Sequence, residues 1–74
     1  MVKVGARIRE LRRQLGVTQG ELVRRTGLQA SYLSKVENGL VIPGLVNLER
    51  IARGLRVELA DLVSPPSSRA KSRR

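Results

Sequence analysis

Residues 18–39 read TQGELVRRTGLQASYLSKVENG, and this stretch decides the fold. Thr18 stands just ahead of an apolar-periodic segment, with Glu21 three residues later at the spacing of a capping box. Val17, one residue earlier, is placed to staple onto Leu22. The spacing predicts a helix over 18–25 that faces inward through Leu22 and Val23. Gly20 is out of place there, costing ~1 kcal/mol against alanine in a helix interior. Gly27 breaks the pattern and Leu28 fills the corner. A second helix is predicted over 30–37, with Leu33 and Val36 inward and Tyr32 off the centre of the apolar face. Gln29 is a poor N-cap, where Ser, Thr or Asp would be expected. Glu37-Asn38-Gly39 closes the helix. The segment is thus two short amphipathic helices hinged at Gly27.

Outward from this pair, Val4, Ile8, Leu11 and Leu15 recur at intervals of four, three and four residues. They predict one apolar face of a helix over 3–15, ended by Gly16 in a left-handed C-cap conformation. On the other side, a loop runs through Pro43-Gly44. A helix over 45–53 then offers Leu45, Leu48, Ile51 and Ala52 to the core before Gly54 stops it. Leu55 and Val57 lead into a short helix over 58–63, with Leu59, Leu62 and Val63 apolar, and Pro65 and Pro66 end it. The expected organisation is an all-α, compact five-helix domain over 1–63, followed by a flexible basic tail over 64–74. Neither repeats nor a second domain are expected.

Composition bounds the function. A chain of 74 residues permits one domain, burying about 60% of its unfolded surface. It has no Cys and no His, and its six acids are scattered, so no metal site and no cofactor are expected. Ser31 and Ser34 have no plausible activating base, no Gly-rich phosphate loop is present, and the domain is too small for a formed substrate pocket; an enzyme is not expected. The net charge is +9 with a pI near 11.7, which favours a polyanionic partner. Residues 1–63 hold 11 basic and 6 acidic groups, net +5, and residues 64–74 hold Arg69, Lys71, Arg73 and Arg74 without an acid, net +4. No apolar run approaches the roughly 18 residues of a membrane span, and no signal-peptide stretch opens the chain, so a cytoplasmic location and no membrane partner are expected.

Helix–turn–helix units of this size usually hold their second helix where it can enter the major groove of DNA. With IRELRRQLGVTQGELVRRTGL over 8–28, SYLSKVENG over 31–39, Pro43, and LERIARGLRV over 48–57, the chain resembles the Cro/repressor, or XRE, helix–turn–helix family across about residues 4–63. The resemblance implies a repressor-like fold and assigns roles by position. Gln19 is similar to the family glutamine that holds a backbone phosphate and braces the second helix of the motif. Asn38 matches a residue whose side chain or backbone amide meets phosphate. Arg12 and Glu37 match a partly buried ion pair tying the first helix to the end of the motif. Ala30, Ser31, Ser34 and Lys35 fall on positions that address base edges. The chain also departs from the pattern: Val23 replaces a preferred alanine, Gly20 a common acid or alanine, and Gly44 the serine before the fourth helix. Leu40, Val41 and Ile42 lie where a basic or polar loop is usual.

The residues themselves support the same surface. With Leu33 and Val36 inward, Ala30, Ser31, Ser34 and Lys35 lie on or near the outer side, small and polar enough to approach the groove floor. Ala30 can touch a thymine methyl, the serines can donate or accept, and Lys35 can reach guanine O6/N7 or a phosphate. Helix N-termini suit phosphate as well. Of Arg24 and Arg25, one reads as flanking the phosphate backbone, with Arg24 the candidate contact, and solvated charge is the other reading. Arg7, Arg9 and Arg13 read as a phosphate fringe or as solubility alone. Leu40-Val41-Ile42 has three readings: local loop packing, a homodimer contact, or docking to another protein. Leu59, Leu62 and Val63 form the other candidate seam. The basic tail reads as a phosphate-following arm or as a remnant without function. The expected function is sequence-specific binding of double-stranded DNA by a small transcriptional regulator, a repressor acting as a homodimer. Two alternatives stand beside it: an antitoxin-type autoregulator that binds a toxin, and an architectural or protein-interaction module without sequence preference.

Overall fold

Residues 3–63 are described by a computed structural model, in which the regular elements are α1 (Val4–Gln14), α2 (Gln19–Thr26), α3 (Ala30–Glu37), α4 (Leu45–Leu55) and α5 (Leu59–Val63). No strand occurs among the described residues. The predicted basic tail, with Pro65 and Pro66, lies outside them.

Local chemistry sets most of the boundaries. The Thr18 hydroxyl accepts the Glu21 amide at 3.0 Å, satisfying one of the orphan donors that open α2. The reciprocal half of a capping box is not made; Glu21 instead takes Arg25 Nη2 at 2.7 Å, one turn along. Gly16 and Gly27 both stand in the left-handed region, at φ 72° and 76°. Thr26 adds to the α2–α3 turn: its hydroxyl donates to Leu22 O at 2.8 Å and accepts the Leu28 amide at 3.2 Å. Gln29 contributes no side-chain cap to α3.

The core is aliphatic. Ile8, Leu22, Leu33, Val36, Ile51 and Leu62 are fully buried, one or two from each helix, with Leu11, Val17, Ala52 and Leu55 around them. α1 packs on α3 and α5, and α2 on α3 and α4. Two expected core residues are outside it. Leu15 is half exposed, because α1 ends at Gln14 and Leu15 is already its C-cap. Leu45 opens α4 on the solvent side and is 62% exposed.

Gly54 does not stop α4. The helix continues to Leu55 and is capped by Arg56 at φ 60°, the sole non-glycine at positive φ among the described residues. Gly54 is small for another reason. A Cβ there would lie 2.9 Å from Thr26 Cγ2 and 3.0 Å from Leu22 Cδ1, so the glycine lets α4 press onto α2. Gly5 does the same for α1 more severely, since a Cβ would stand 1.8 Å from the Val36 carbonyl oxygen. These two close approaches hold α2 and α3 against α4 and α1.

Candidate nucleic-acid interface

α3 presents the face that the periodicity requires. Leu33 and Val36 are buried, Ala30, Ser31 and Lys35 are exposed, and Ser34 is half-buried. Tyr32 sits at the margin, where its hydroxyl accepts Asn47 Nδ2 at 3.0 Å and ties α3 to the first turn of α4. The outer surface of α3 is therefore a strip of small and polar side chains with one ammonium. Nothing bulky prevents it from approaching a groove.

The C-terminal end of α3 is fixed by a buried carboxylate. Glu37 has a side chain only 2% exposed and sits where the helix already carries partial negative charge, an adverse site for an acid. Cations compensate. Arg12 donates from Nε to Oε2 at 2.9 Å and from Nη2 to Oε1 at 3.1 Å, and Arg9 Nε lies 3.7 Å from Oε1. Gln19 Nε2 donates to the same Oε1 at 3.4 Å, and Arg12 Nη1 reaches Val17 O at 3.1 Å. One carboxylate thus joins α1, the first turn of α2 and the end of α3. No buried side-chain polar atom among the described residues is left without a partner.

The sequence-derived residues do not all fall on this face as expected. Gln19 is half-buried, braced on Glu37, with its position on the first turn of α2 leaving it beside the motif's surface. Asn38 is exposed, but its backbone amide is committed to Ser34 O at 3.0 Å. Its Oδ1 accepts Arg9 Nη2, and its Nδ2 has only a long contact to Ser34 Oγ, 3.5 Å, so the side-chain amide is the donor left for a ligand. Arg24 is exposed on α2.

Two arginines read as phosphate fringe or solvated charge are structural instead. Arg7 is 9% exposed and donates from Nε to Asp61 O at 2.9 Å, pinning α1 to α5. Arg25 bonds Gly54 O at 2.9 Å, crossing from α2 to α4. Sequence spacing gives no hint of either, because both acceptors are backbone carbonyls distant in the chain. The half-exposed Val63 and half-buried Leu59 remain near the surface of α5, but Leu62 is 0% exposed and belongs to the core, not to a seam. In the α3–α4 loop exposure alternates: Val41 is half-buried and Pro43 buried, while Leu40 and Ile42 stand 74% and 89% exposed. Leu45 and Val46, which open α4, are also exposed apolar residues.

A family model for the helix-turn-helix domain matches residues 3–64. This chain belongs to the helix-turn-helix domain family. Within it the chain is of the Cro/repressor, or XRE, type. It is 39% identical over 62 residues to an uncharacterised HTH-type transcriptional regulator, y4dJ, of Sinorhizobium fredii, covering 84% of this chain and 80% of that protein. Among solved structures, the helix-turn-helix fold is similar to the restriction-modification controller protein C.AhdI from Aeromonas hydrophila, with 41% identity, a TM-score of 0.78, and 82% and 92% of the two chains covered. It is also similar to the hypothetical transcription factor NHTF from Neisseria, with 35% identity, a TM-score of 0.82, and 93% and 79% covered. No group of three or more metal-ligating side chains and no helix long and apolar enough to cross a membrane occurs among the described residues.

Proposed function

We propose that this protein is a sequence-specific double-stranded-DNA-binding transcriptional regulator that represses by occupying its site as a homodimer. One observation carries the reading. α3 exposes Ala30, Ser31 and Lys35, with Ser34 half-exposed beside them, while Glu37 locks its far end to α1 and α2. A rigid helix with a small polar outer face meets the requirement for direct readout. Ala30, Ser31, Ser34 and Lys35 are the base-contacting set. Gln19, Arg24 and the side-chain amide of Asn38 are the phosphate contacts that set its register.

Dimerisation follows from the size of the reading head, since one α3 addresses a half-site and two-fold pairing places two heads one helical turn apart. The favoured seam is Leu40, Ile42, Leu45 and Val46. Residues 38–46 carry no charge in a chain of net +9, so two copies meet there with the least repulsion.

Selection of bound duplexes from a random pool at about 150 mM salt, with Lys35→Ala in parallel, tests the reading. The expected outcome is a two-fold-symmetric sequence with half-sites about one turn apart, and an altered preference for the variant. Bound DNA with no enriched sequence would leave only an architectural role. No binding at all would leave a protein-interaction module, whereas DNA binding together with a stoichiometric protein complex recovered from cell extract would favour the antitoxin-type autoregulator.

A further inference from the structure

Away from the α3 face, the C-terminal ends of α2 and α4 enclose a depression of about 450 Å³ lined by Arg25, Thr26, Arg50, Arg53, Gly54 and Arg56. No acid lines it. Arg25 is held at its wall by Gly54 O and Glu21. The side chains of Arg50, Arg53 and Arg56 are on exposed residues and make no hydrogen bond or ion pair among the described residues, although Glu49 stands four residues before Arg53. Part of this charge is explained by the helix ends, which favour cations. That effect does not gather four guanidiniums about one concavity, nor place Arg56 in a left-handed conformation that costs a non-glycine residue energy.

We propose that this depression is a second phosphate-binding surface, by which the protein engages nucleic-acid backbone that α3 does not touch. Guanidinium forks match phosphate oxygens in pairs. The lining of arginine, threonine and glycine has no apolar or aromatic anchor of the kind a protein interface uses at its centre. Tyr32–Asn47 fixes the first turn of α4 beside α3. Arg53 and Arg56 follow Asn47 by six and nine residues, placing them roughly 9–14 Å further along the helix. The surface therefore serves phosphates displaced from the α3 contact, on flanking turns of the same duplex or on a second duplex. This inference rests on the reading of the chain as a duplex-binding protein.

The test compares the full chain with an Arg50→Ala/Arg53→Ala variant. Arg25 is left in place because it ties α2 to α4. A Gln14→Glu/Ala60→Glu variant, altered at two exposed positions elsewhere, lowers net charge equally. For duplexes of about 20 and about 40 base pairs, the slope of log affinity against log salt is measured. Loss of two phosphate contacts flattens the slope by about 2 in the arginine variant, well beyond the charge-matched control. Flattening confined to the longer duplex assigns the phosphates to flanking turns. Energy transfer between two labelled duplexes, present with the wild type and lost in the variant, assigns them to a second duplex. Either result supports the proposal, and an Arg50→Lys/Arg53→Lys variant is expected to keep the slope. Equal flattening by the alanine and control variants, or none with either, overturns it. Intact sequence selection beside an unchanged slope would sink this surface alone, whereas loss of selection in the wild type would sink the reading of α3.

Discussion

Arg12 on α1 meets Glu37 at the end of α3 through two hydrogen bonds, 2.9 and 3.1 Å long, around a carboxylate that is 2% exposed. Breaking such a pair from one side strands a buried charge at a cost of ~3–5 kcal/mol. Arg12→Ala should therefore lower the thermal midpoint by at least about 12 °C, at ~4–8 °C per kcal/mol for a domain of this size. Arg12→Met/Glu37→Met, which removes both charges, should recover most of that loss. An unchanged midpoint for Arg12→Ala would refute the buried-pair account.

Gly5 and Gly20 are both helical, and they should respond oppositely to alanine. At Gly5 the new methyl meets the Val36 carbonyl oxygen at 1.8 Å; the oxygen is a backbone atom and the Cβ is fixed directly to one, so neither can yield without separating α1 from α3. We expect a loss of at least ~3 kcal/mol, beyond ordinary overpacking. At Gly20 nothing lies within 4 Å, so alanine should stabilise by ~1 kcal/mol through helix propensity alone. Chemical denaturation of the two variants checks both signs.

Arg56→Gly should raise the thermal midpoint while weakening DNA binding. Relief of the left-handed strain at φ 60° is worth ~1–2 kcal/mol, reduced by ~0.4–1 kcal/mol because glycine makes the unfolded chain freer. A midpoint that falls would show that Arg56 is held by contacts stronger than its strain.

Gln19→Ala should weaken binding to every duplex by a similar factor, about tenfold, the value of one hydrogen bond to a charged group. Its salt slope should stay near that of the wild type, because an uncharged amide displaces no counterion. A change in the preferred sequence instead of a uniform loss would mean that Gln19 reads bases.

Ile42→Glu places a charge on a side chain that is 89% exposed, so stability should change by less than ~0.5 kcal/mol. Sedimentation at micromolar concentration should nevertheless show a dimer for the wild type and a monomer for the variant, and operator binding by the variant should shift to higher protein concentration. A dimer retained by the variant would move the seam away from the loop.

The legible part of this fold was local. The span of α3, the hydroxyl cap at Thr18, the left-handed turn at Gly16 and the inward set Leu22, Leu33 and Val36 all follow from interactions within a few residues. Helix ends were less legible where a tertiary contact overrode propensity. Gly54 looks like a stop signal, yet its missing side chain serves the approach of α2, and the helix runs on to Leu55. Leu15 and Leu45 satisfy a helical period but stand at helix ends that the core does not reach.

The sequence by itself determined that this chain forms short amphipathic helices around one aliphatic core, with a small polar face on α3, because period, caps and turn residues act over neighbouring positions. Beyond the Arg12–Glu37 pair that the family resemblance implies, only the tertiary structure decided which charges belong to the architecture. Arg7 and Arg25 find backbone carbonyls 54 and 29 residues away, Gln19 joins Glu37 across 18, and Arg25, Arg50, Arg53 and Arg56 gather from two helices about one depression. In the chain an arginine is only a charge. Its acceptor exists once distant helices have packed.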